Sequence, residues 1–186
     1  ISHSLSPKIH NLFAKRANIK IEYEAYHVLP SNLDGFIRDF FDDGGDGLNI
    51  TLPHKINCLQ SADEFSPIVK KIGAANTLTR LRDTNQIFAD STDGMGLIMD
   101  LLEARINLPK SSILIIGAGG AAQSIIHGLQ NRRPGVIAIA NRTKEKVKPL
   151  VNRFPPLDSD DTLPDTQVVD IETYLNKSEF QGFTTL

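Results

Sequence analysis

Two short apolar runs enclose a glycine-rich turn in the second half of the chain. The first run, residues 111–116, is rich in β-branched residues and stops at Gly117, which is typical of a strand buried on both faces of a parallel sheet. Residues 124–129 carry helical periodicity, and a second apolar run follows at Val136–Ala140. The pattern predicts a βαβ unit whose glycines lie at the first strand-to-helix turn.

The first half alternates differently, with helical stripes and short strands separated by turn residues. Ser6-Pro7 and Ser66-Pro67 each combine a capping residue with a proline suited to the first helical turn. The pattern predicts helices from residue 6, over 33–41, over 56–60, over 68–72 and from about 93 to 106, and strands over 21–28, 48–52, 73–81 and 87–89.

Beyond the βαβ unit the signals are weaker. Pro149 falls inside a predicted helix over 147–154, where it should distort the helix. An acidic loop over 155–164, a short helix capped by Asp170 and the opening of a strand at 183–186 are predicted after it.

We therefore predict an α/β protein of two domains. Residues 1–95 would form an N-terminal α/β substrate-binding and catalytic domain, and residues 96–186 an incomplete Rossmann-like dinucleotide-binding domain, with the boundary inside the helix that follows Asp93. Both ends look cut, so we expect a piece of a longer chain.

The glycine turn has the residues that a dinucleotide pyrophosphate needs. Gly117 permits the tight turn, Gly119 lets backbone N–H groups approach phosphate oxygens, and small residues from Gly120 allow close helix packing. Gly117, Ala118, Gly119, Gly120 and Ala121 are the candidate contacts. The alternative is a glycine-rich turn in an ordinary α/β domain.

The end of the second strand indicates which dinucleotide binds. An NAD site usually has an acidic residue there, whereas this chain has Asn141, Arg142 and Thr143, followed by Lys144 and Lys146. A guanidinium with nearby ammonium groups suits a 2′-phosphate, so the sequence favours NADP. The alternative is that Lys144 and Lys146 lie on the solvated face of the next helix.

Composition argues against a nucleic-acid-binding protein and against a membrane-spanning protein. The 186 residues are 40% hydrophobic with a formal net charge of −2, which gives no basic surplus for nucleic acid, and no run approaches the roughly 20 apolar residues of a membrane span. No signal-peptide pattern is present, and the single cysteine, Cys58, fits a reducing compartment and a buried role, so we expect a cytoplasmic protein. The acidic turn at 42–47 lacks EF-hand spacing, and no metal site is predicted.

Small polar residues beside turns are unusually dense in the first domain, which suits a polyhydroxylated ligand with a carboxylate. They are Ser4, Ser6, Asn49, Thr51, Asn76 and Thr77. Each is also a residue type commonly found in a structural role at caps and strand ends.

Lys55 and Asp93 form a candidate acid–base pair. Reducing a ketone with hydride needs a proton donor for the developing alkoxide, and the reverse reaction needs an acceptor. A lysine ammonium held by a carboxylate serves both directions. The alternative is an exposed lysine and a helix-capping aspartate, which spacing alone does not distinguish.

Six segments, in this order, resemble the shikimate dehydrogenase family. Residues 2–11 resemble its H-S-x-S-P-x-x-H-N segment, 49–55 its N-V-T-x-P-x-K, and 73–78 its G-A-x-N-T. Residues 91–94 resemble N-T-D-G, with Ser91 in place of the usual asparagine. Residues 117–121 and 141–143 resemble the G-A-G-G-A turn and the N-R-T loop.

The resemblance implies NADPH-dependent, reversible reduction of 3-dehydroshikimate to shikimate on the route to chorismate and aromatic amino acids. By family likeness Ser4 and Ser6 hold the substrate carboxylate, and Thr51, Asn76 and Asp93 its hydroxyls. Lys55 is the principal catalytic residue, positioned with Asp93. Arg142, Thr143 and Lys146 would hold the 2′-phosphate, and we expect a monomer or homodimer.

The resemblance also implies a first strand before Ile1 and further strands and a C-terminal helix after Leu186, so the chain as given could be inactive. Three alternatives remain open at this stage. They are a quinate/shikimate dehydrogenase with relaxed cofactor use, a non-catalytic relative that senses pathway metabolites, and one module of a bifunctional chain.

Overall fold

The computed structural model describes residues 4–156 and 166–175. Two sheets with flanking helices make up this part of the chain. In chain order the helices are α1 Ser6–Ala17, α2 Leu33–Asp42, α3 Pro67–Ile72, α4 Asp93–Glu103, α5 Gly120–Gln130, α6 Val147–Arg153 and α7 Ile171–Leu175. The strands are β1 Gly47–Asn49, β2 Glu64–Phe65, β3 Thr77–Arg80, β4 Ile87–Asp90, β5 Ser112–Ile116, β6 Val136–Ala140 and β7 Gln167–Asp170.

The first sheet has the strand order β1-β3-β4-β2. β3 and β4 form the predicted antiparallel hairpin, with Thr77 opposite Asp90, and β1 and β2 pair on its two sides. The apolar stripe of α2 supplies much of its core, since Leu33, Ile37 and Phe41 are buried. The predicted helix at 56–60 is a 3-10 turn, Asn57–Ser61, which carries the buried Cys58 into the same core.

The predicted strand over 21–28 is wrong. Residues 19–29 lie outside any helix or strand, because no partner strand among the described residues forms a ladder with them. Side-chain contacts hold this segment instead: the Tyr23 hydroxyl donates to Asn49 Oδ1 at 2.8 Å, and His54 Nε2 lies 2.9 Å from the Val28 carbonyl oxygen.

The second sheet is parallel, in the order β5-β6-β7, and contains the predicted βαβ unit. β5 and β6 run in register from Ser112 opposite Val136 to Ile116 opposite Ala140. Sequence reasoning missed β7, whose four residues include only two aliphatic side chains and whose strand conformation comes from pairing with β6.

Pro149 does not distort a helix, contrary to the prediction. Residues 144–146 form a 3-10 turn and α6 begins at Val147, so Pro149 lies in the first turn, where a missing N–H costs no hydrogen bond. Asp170 caps α7 as predicted, accepting from the Thr173 N–H at 2.9 Å. Of the expected loop over 155–164, residues 157–164 lie outside the described residues, as does the expected strand at 183–186.

Two hydrophobic cores accompany the two sheets, and α3 contributes to both. Val69 belongs to the core of the first sheet, whereas Ile72, followed by Ala74, packs with the buried residues of β5, α5 and β6. The hydrophobic core of the first sheet and that of the second sheet are therefore in continuous apolar contact beside α3, α4 and α5. Within the described residues, no helix has the length and apolarity to cross a bilayer.

Candidate active site

Lys55 and Asp93 meet beside the start of α5. Lys55 Nζ donates to Asp93 Oδ2 at 2.5 Å, and the two side chains are only 12% and 24% exposed. Partial burial strengthens an ion pair because water screens it less. The two residues stand 38 positions apart, so tertiary structure creates this contact.

Asn76 is the third member of this group. Its Nδ2 donates to Asp93 Oδ1 and to Thr92 Oγ1, both at 2.9 Å, and its Oδ1 accepts from the Thr92 N–H at 2.9 Å. Both amide hydrogens are thus committed to the protein, and Oδ1 also accepts from the Thr77 hydroxyl at 3.2 Å. Asn76 orients the Asp93 carboxylate.

Backbone hydrogen bonds place Lys55 and Asn76 in register. The Ala75 N–H donates to the Lys55 carbonyl at 2.8 Å, and the Ile50 N–H donates to the Asn76 carbonyl at 2.7 Å. These two hydrogen bonds therefore hold the loop after β1, which carries Lys55, against the residues before β3, which include Asn76.

A cavity of about 500 Å³ opens beside Lys55, which we call the glycine-turn cavity. Its lining includes Ala118, Gly119, Gly120 and Lys146. Gly120 is buried so tightly that a Cβ there would lie 2.8 Å from Lys55 Cβ, so the start of α5 abuts the lysine directly. The glycine turn and Lys55 thus line the same cavity.

The turn leaves the start of α5 open to an anion. Gly117 has φ of +122°, which glycine adopts without strain, and Gly119 precedes α5 with no side-chain cap. A Cβ on Gly119 would meet only the end of Leu52 at 4.0 Å. An uncapped helix start behind the exposed Gly119, with Lys146 in the same cavity, fits a dinucleotide pyrophosphate.

Arg142 lies in a different cavity, of about 370 Å³, at the carboxyl ends of β5, β6 and β7. We call it the arginine cavity; Asn141 also lines it, and Asn141 Nδ2 donates to the Thr143 carbonyl at 2.7 Å, which shapes the loop. Lys146 lines the glycine-turn cavity rather than this one. The structure therefore does not place Arg142 and Lys146 in a single cavity.

Ser4, Ser6 and Thr51 line a third cavity of about 410 Å³, which we call the serine cavity. The Ser6 N–H donates to Ser4 Oγ at 3.3 Å, and α1 begins at Ser6 without a side-chain cap. Sequence reasoning missed Tyr23, which lines the same cavity and stacks on His10 at 4.2 Å between ring centroids. Burial raises the pKa of the Tyr23 hydroxyl.

Comparisons with known proteins identify the family of this chain. The family model described as "Shikimate dehydrogenase substrate binding domain" matches residues 1–78, and the one described as "Shikimate / quinate 5-dehydrogenase" matches residues 100–180. A shikimate dehydrogenase (NADP(+)) of Legionella pneumophila (strain Lens) is 43% identical over 157 residues, which are 84% of this chain and 58% of that protein.

The chain belongs to the shikimate dehydrogenase family. It spans less than two thirds of the length of such relatives. The shikimate dehydrogenase of Aquifex aeolicus has a similar structure, with a TM-score of 0.79 and 28% identity over 94% of this chain and 60% of that one.

A second solved shikimate dehydrogenase, from Thermus thermophilus in complex with NADP(H) and shikimate, has a TM-score of 0.74 and 28% identity. The match covers 82% of this chain and 56% of that one. These likenesses confirm the predicted α/β class with a substrate domain followed by a Rossmann-like domain.

Sequence reasoning missed two residues of the candidate site in this member of the shikimate dehydrogenase family. Ser124, fully buried on α5, contacts the start of α4, and Arg153 Nη1 donates to Gln123 Oε1 at 2.5 Å and to the Ile72 carbonyl beside the glycine turn. Neither stands in a recognisable motif, and no pattern in the sequence signals either contact. No group of three His, Cys, Asp or Glu side chains among the described residues could hold a metal ion.

Proposed function

We propose that the protein is an NADP-dependent shikimate dehydrogenase, which reversibly reduces 3-dehydroshikimate to shikimate on the route to chorismate and aromatic amino acids. The observation that carries the proposal is that Lys55, whose Nζ contacts Asp93 Oδ2, lines the same cavity as the glycine turn. The family assignment supplies the substrate class.

Lys55 handles the proton in this proposal. In the reduction the Lys55 ammonium donates a proton to the oxygen of the carbonyl as that oxygen becomes an alkoxide, and in the oxidation the amine takes it back. Asp93 holds the ammonium in place and stabilises its charge, and Asn76 fixes the Asp93 carboxylate from its other oxygen. The nicotinamide, when bound, supplies or accepts the hydride.

NADP would be held by two parts of the second domain. Gly117, Ala118, Gly119, Gly120 and Ala121 would receive the pyrophosphate, with Lys146 in the same cavity. Arg142, with Asn141 and Thr143, would recognise the 2′-phosphate in the arginine cavity. Because Lys146 lines the other cavity, we propose that Arg142 is the chief determinant of NADP over NAD.

The substrate carboxylate would lie at Ser4 and Ser6, with Thr51 and Asn76 on the hydroxyls. Three of these residues line the serine cavity, which supports the assignment. Asn76 would accept a substrate hydroxyl through Oδ1 in place of the Thr77 hydroxyl that now donates to it at 3.2 Å, since its amide hydrogens are already donated to Thr92 and Asp93.

We also propose the division into residues 1–95 and 96–186, a cytoplasmic location, and a monomer or homodimer with small molecules as its ligands. The two sheets, which fall on either side of the proposed boundary inside α4, support the division.

The test uses the complete gene product that contains this chain, because the chain spans only part of its relatives. Absorbance at the nicotinamide band is followed with shikimate or quinate and with NADP⁺ or NAD⁺. We expect rapid reduction with shikimate and NADP⁺ and much slower reduction in the other three mixtures. Equal rates with quinate and NAD⁺ would indicate a broad quinate/shikimate dehydrogenase, and binding without turnover would indicate a metabolite sensor.

A further inference from the structure

The start of α4, which carries Asp93, lacks a cap from its own segment. Thr92 occupies the N-cap position, but its side chain makes no capping hydrogen bond, and its Oγ1 accepts from Asn76 Nδ2 instead. The first N–H groups of a helix have no partner within the helix, so a start that is buried needs another acceptor.

Ser124 supplies that acceptor from a neighbouring helix. Its Oγ accepts the N–H of Gly94, the residue after Asp93, at 2.9 Å. Ser124 lies on α5, four residues after Gly120, and is 0% exposed. A hydroxyl buried this deeply costs free energy unless it is hydrogen-bonded, so the contact defines where the two helices meet.

The two helices also touch backbone to backbone at this point. A Cβ on Gly94 would lie 2.1 Å from the Ser124 carbonyl oxygen, and a Cβ on Gly128, one turn later on α5, would lie 3.1 Å from the Gly94 carbonyl oxygen. α4 therefore has no freedom to move towards α5.

α5 thus contacts both members of the catalytic pair. Gly120 lies against the stem of Lys55, and Ser124 lies against the peptide that follows Asp93. The same helix begins at the glycine turn. One rigid element therefore connects the proposed cofactor turn to the proton-handling residues.

Ser91 completes the contact. Its side chain is buried, 6% exposed, and its hydroxyl donates to Ser124 Oγ at 2.9 Å. Ser91 is the position at which this chain departs from the N-T-D-G segment of the family. The two serine hydroxyls therefore form one buried hydrogen-bonded pair.

We propose that Ser124 is a positioning residue that fixes the Asp93 carboxylate relative to the glycine turn, with Ser91 orienting the Ser124 hydroxyl. The inference rests on the proposed function, since it assigns Ser124 a role in the turnover of that enzyme. Ser124 touches neither ligand in this assignment and acts through Gly94 and Asp93.

The experiment compares Ser124→Ala, Ser91→Ala and the double variant in the complete gene product. We expect Ser124→Ala to lower kcat about tenfold, the effect of losing roughly one hydrogen bond's worth of positioning. KM for shikimate and the dissociation constant for NADP⁺ should stay within about twofold. Ser91→Ala should lower kcat less, and the double variant should resemble Ser124→Ala because the two hydroxyls act as one unit.

Ser61→Ala is the matched control. Ser61 is also a buried serine, 5% exposed, whose hydroxyl donates to Asp34 Oδ1 at 2.7 Å away from the catalytic pair. It should lose stability without losing kcat. Hydrogen exchange of the Gly94 amide provides a readout that does not depend on activity: it should accelerate in Ser124→Ala and stay unchanged in Ser61→Ala.

The outcomes separate the two proposals. An active wild-type enzyme whose kcat is unchanged in Ser124→Ala, or falls equally in Ser61→Ala, would overturn the positioning role and leave the proposed function standing. A wild-type protein that binds both ligands without turnover would overturn the proposed function, and the positioning role with it. An unchanged exchange rate at Gly94 would overturn the capping contact itself.

Discussion

Two glycines in α4 allow a matched test of how closely this helix packs against α5. A Cβ added at Gly94 would lie 2.1 Å from the Ser124 carbonyl oxygen, whereas a Cβ added at Gly96 would meet nothing within 4 Å. Gly94→Ala and Gly96→Ala therefore add the same methyl group at positions two residues apart. The methyl group at residue 94 would collide with the backbone of α5, and the one at residue 96 would lie in open space.

The expected magnitudes have opposite signs. Replacing a helical glycine by alanine stabilises a helix by about 0.5–1 kcal/mol, which is the full expectation for Gly96→Ala. Overpacking a close contact costs about 1–3 kcal/mol, and Gly94→Ala belongs at the upper end because a backbone carbonyl is less able to yield than the end of a flexible side chain. We expect Gly94→Ala to lower the free energy of unfolding by about 2 kcal/mol.

Thermal denaturation measures the difference. At about 2–4 °C of Tm for each kcal/mol in a chain of this size, Gly94→Ala should lower Tm by about 4–8 °C, and Gly96→Ala should raise it slightly. Gly94→Ala should also reduce kcat, since the residue adjoins Asp93. Equal Tm values for the two variants would refute the close approach of α4 to α5.

Three further variants or reactions test other parts of the molecule. Arg142→Ala should raise the Kd for NADP⁺ about 10- to 100-fold and leave the Kd for NAD⁺ nearly unchanged, whereas the control Arg132→Ala, at an exposed arginine, should change neither Kd. An equal loss of affinity for both dinucleotides in Arg142→Ala would contradict this. Burial, and then the charge of Lys71, lower the pKa of His127, so protonation favours the unfolded chain and the free energy of unfolding decreases as pH falls below about 6.5. His127→Gln should reduce the difference between the urea unfolding midpoints at pH 7.5 and pH 5. An unchanged difference between the two midpoints would contradict this. Burial raises the pKa of the Cys58 thiol to about 11, so a thiol reagent at pH 8 should react only after unfolding, and fast reaction of the native protein would contradict the buried position.

Local patterns predicted much of the fold. The βαβ unit appeared where expected, at Ser112–Ile116, Gly120–Gln130 and Val136–Ala140, because buried parallel strands and their helix carry strong apolar periodicity. Two predicted caps are confirmed, since Ser66 Oγ accepts from the Val69 N–H and Asp170 caps α7, whereas the predicted cap at Ser6 is wrong because Ser6 lies inside α1 and Leu5 occupies the N-cap position.

The failures concern segments whose conformation depends on distant partners. Residues 21–28 have a strand-like composition, yet no neighbouring strand pairs with them among the described residues. Gln167–Asp170 has a weak pattern of its own and becomes a strand by pairing with β6. Pro149 was misjudged although the helix start at Val147 was predicted correctly, because a proline at the third helical position lies in the first turn, where its missing N–H costs no hydrogen bond.

The candidate site likewise contains some residues that the sequence predicted and some contacts that depend on tertiary packing. The glycine turn and Arg142 follow from their places in the βαβ unit. The sequence offered Lys55 and Asp93 as an acid–base pair, and family likeness singled out Lys55 as catalytic, but their contact is a product of tertiary packing. Ser124 could not be foreseen, since a serine in the second turn of a helix has no signature that reveals a partner 30 residues earlier.

The turnover of Lys55→Ala in the complete gene product tests the central claim most directly, with the exposed Lys70→Ala as its control. The account predicts that kcat for shikimate oxidation with NADP⁺ falls by about 10²- to 10⁴-fold, the range for loss of a general acid–base, while NADP⁺ binding and Tm change little and Lys70→Ala behaves as wild type. A Lys55→Ala enzyme that turns over within about threefold of wild type would contradict the assignment of the proton to this lysine.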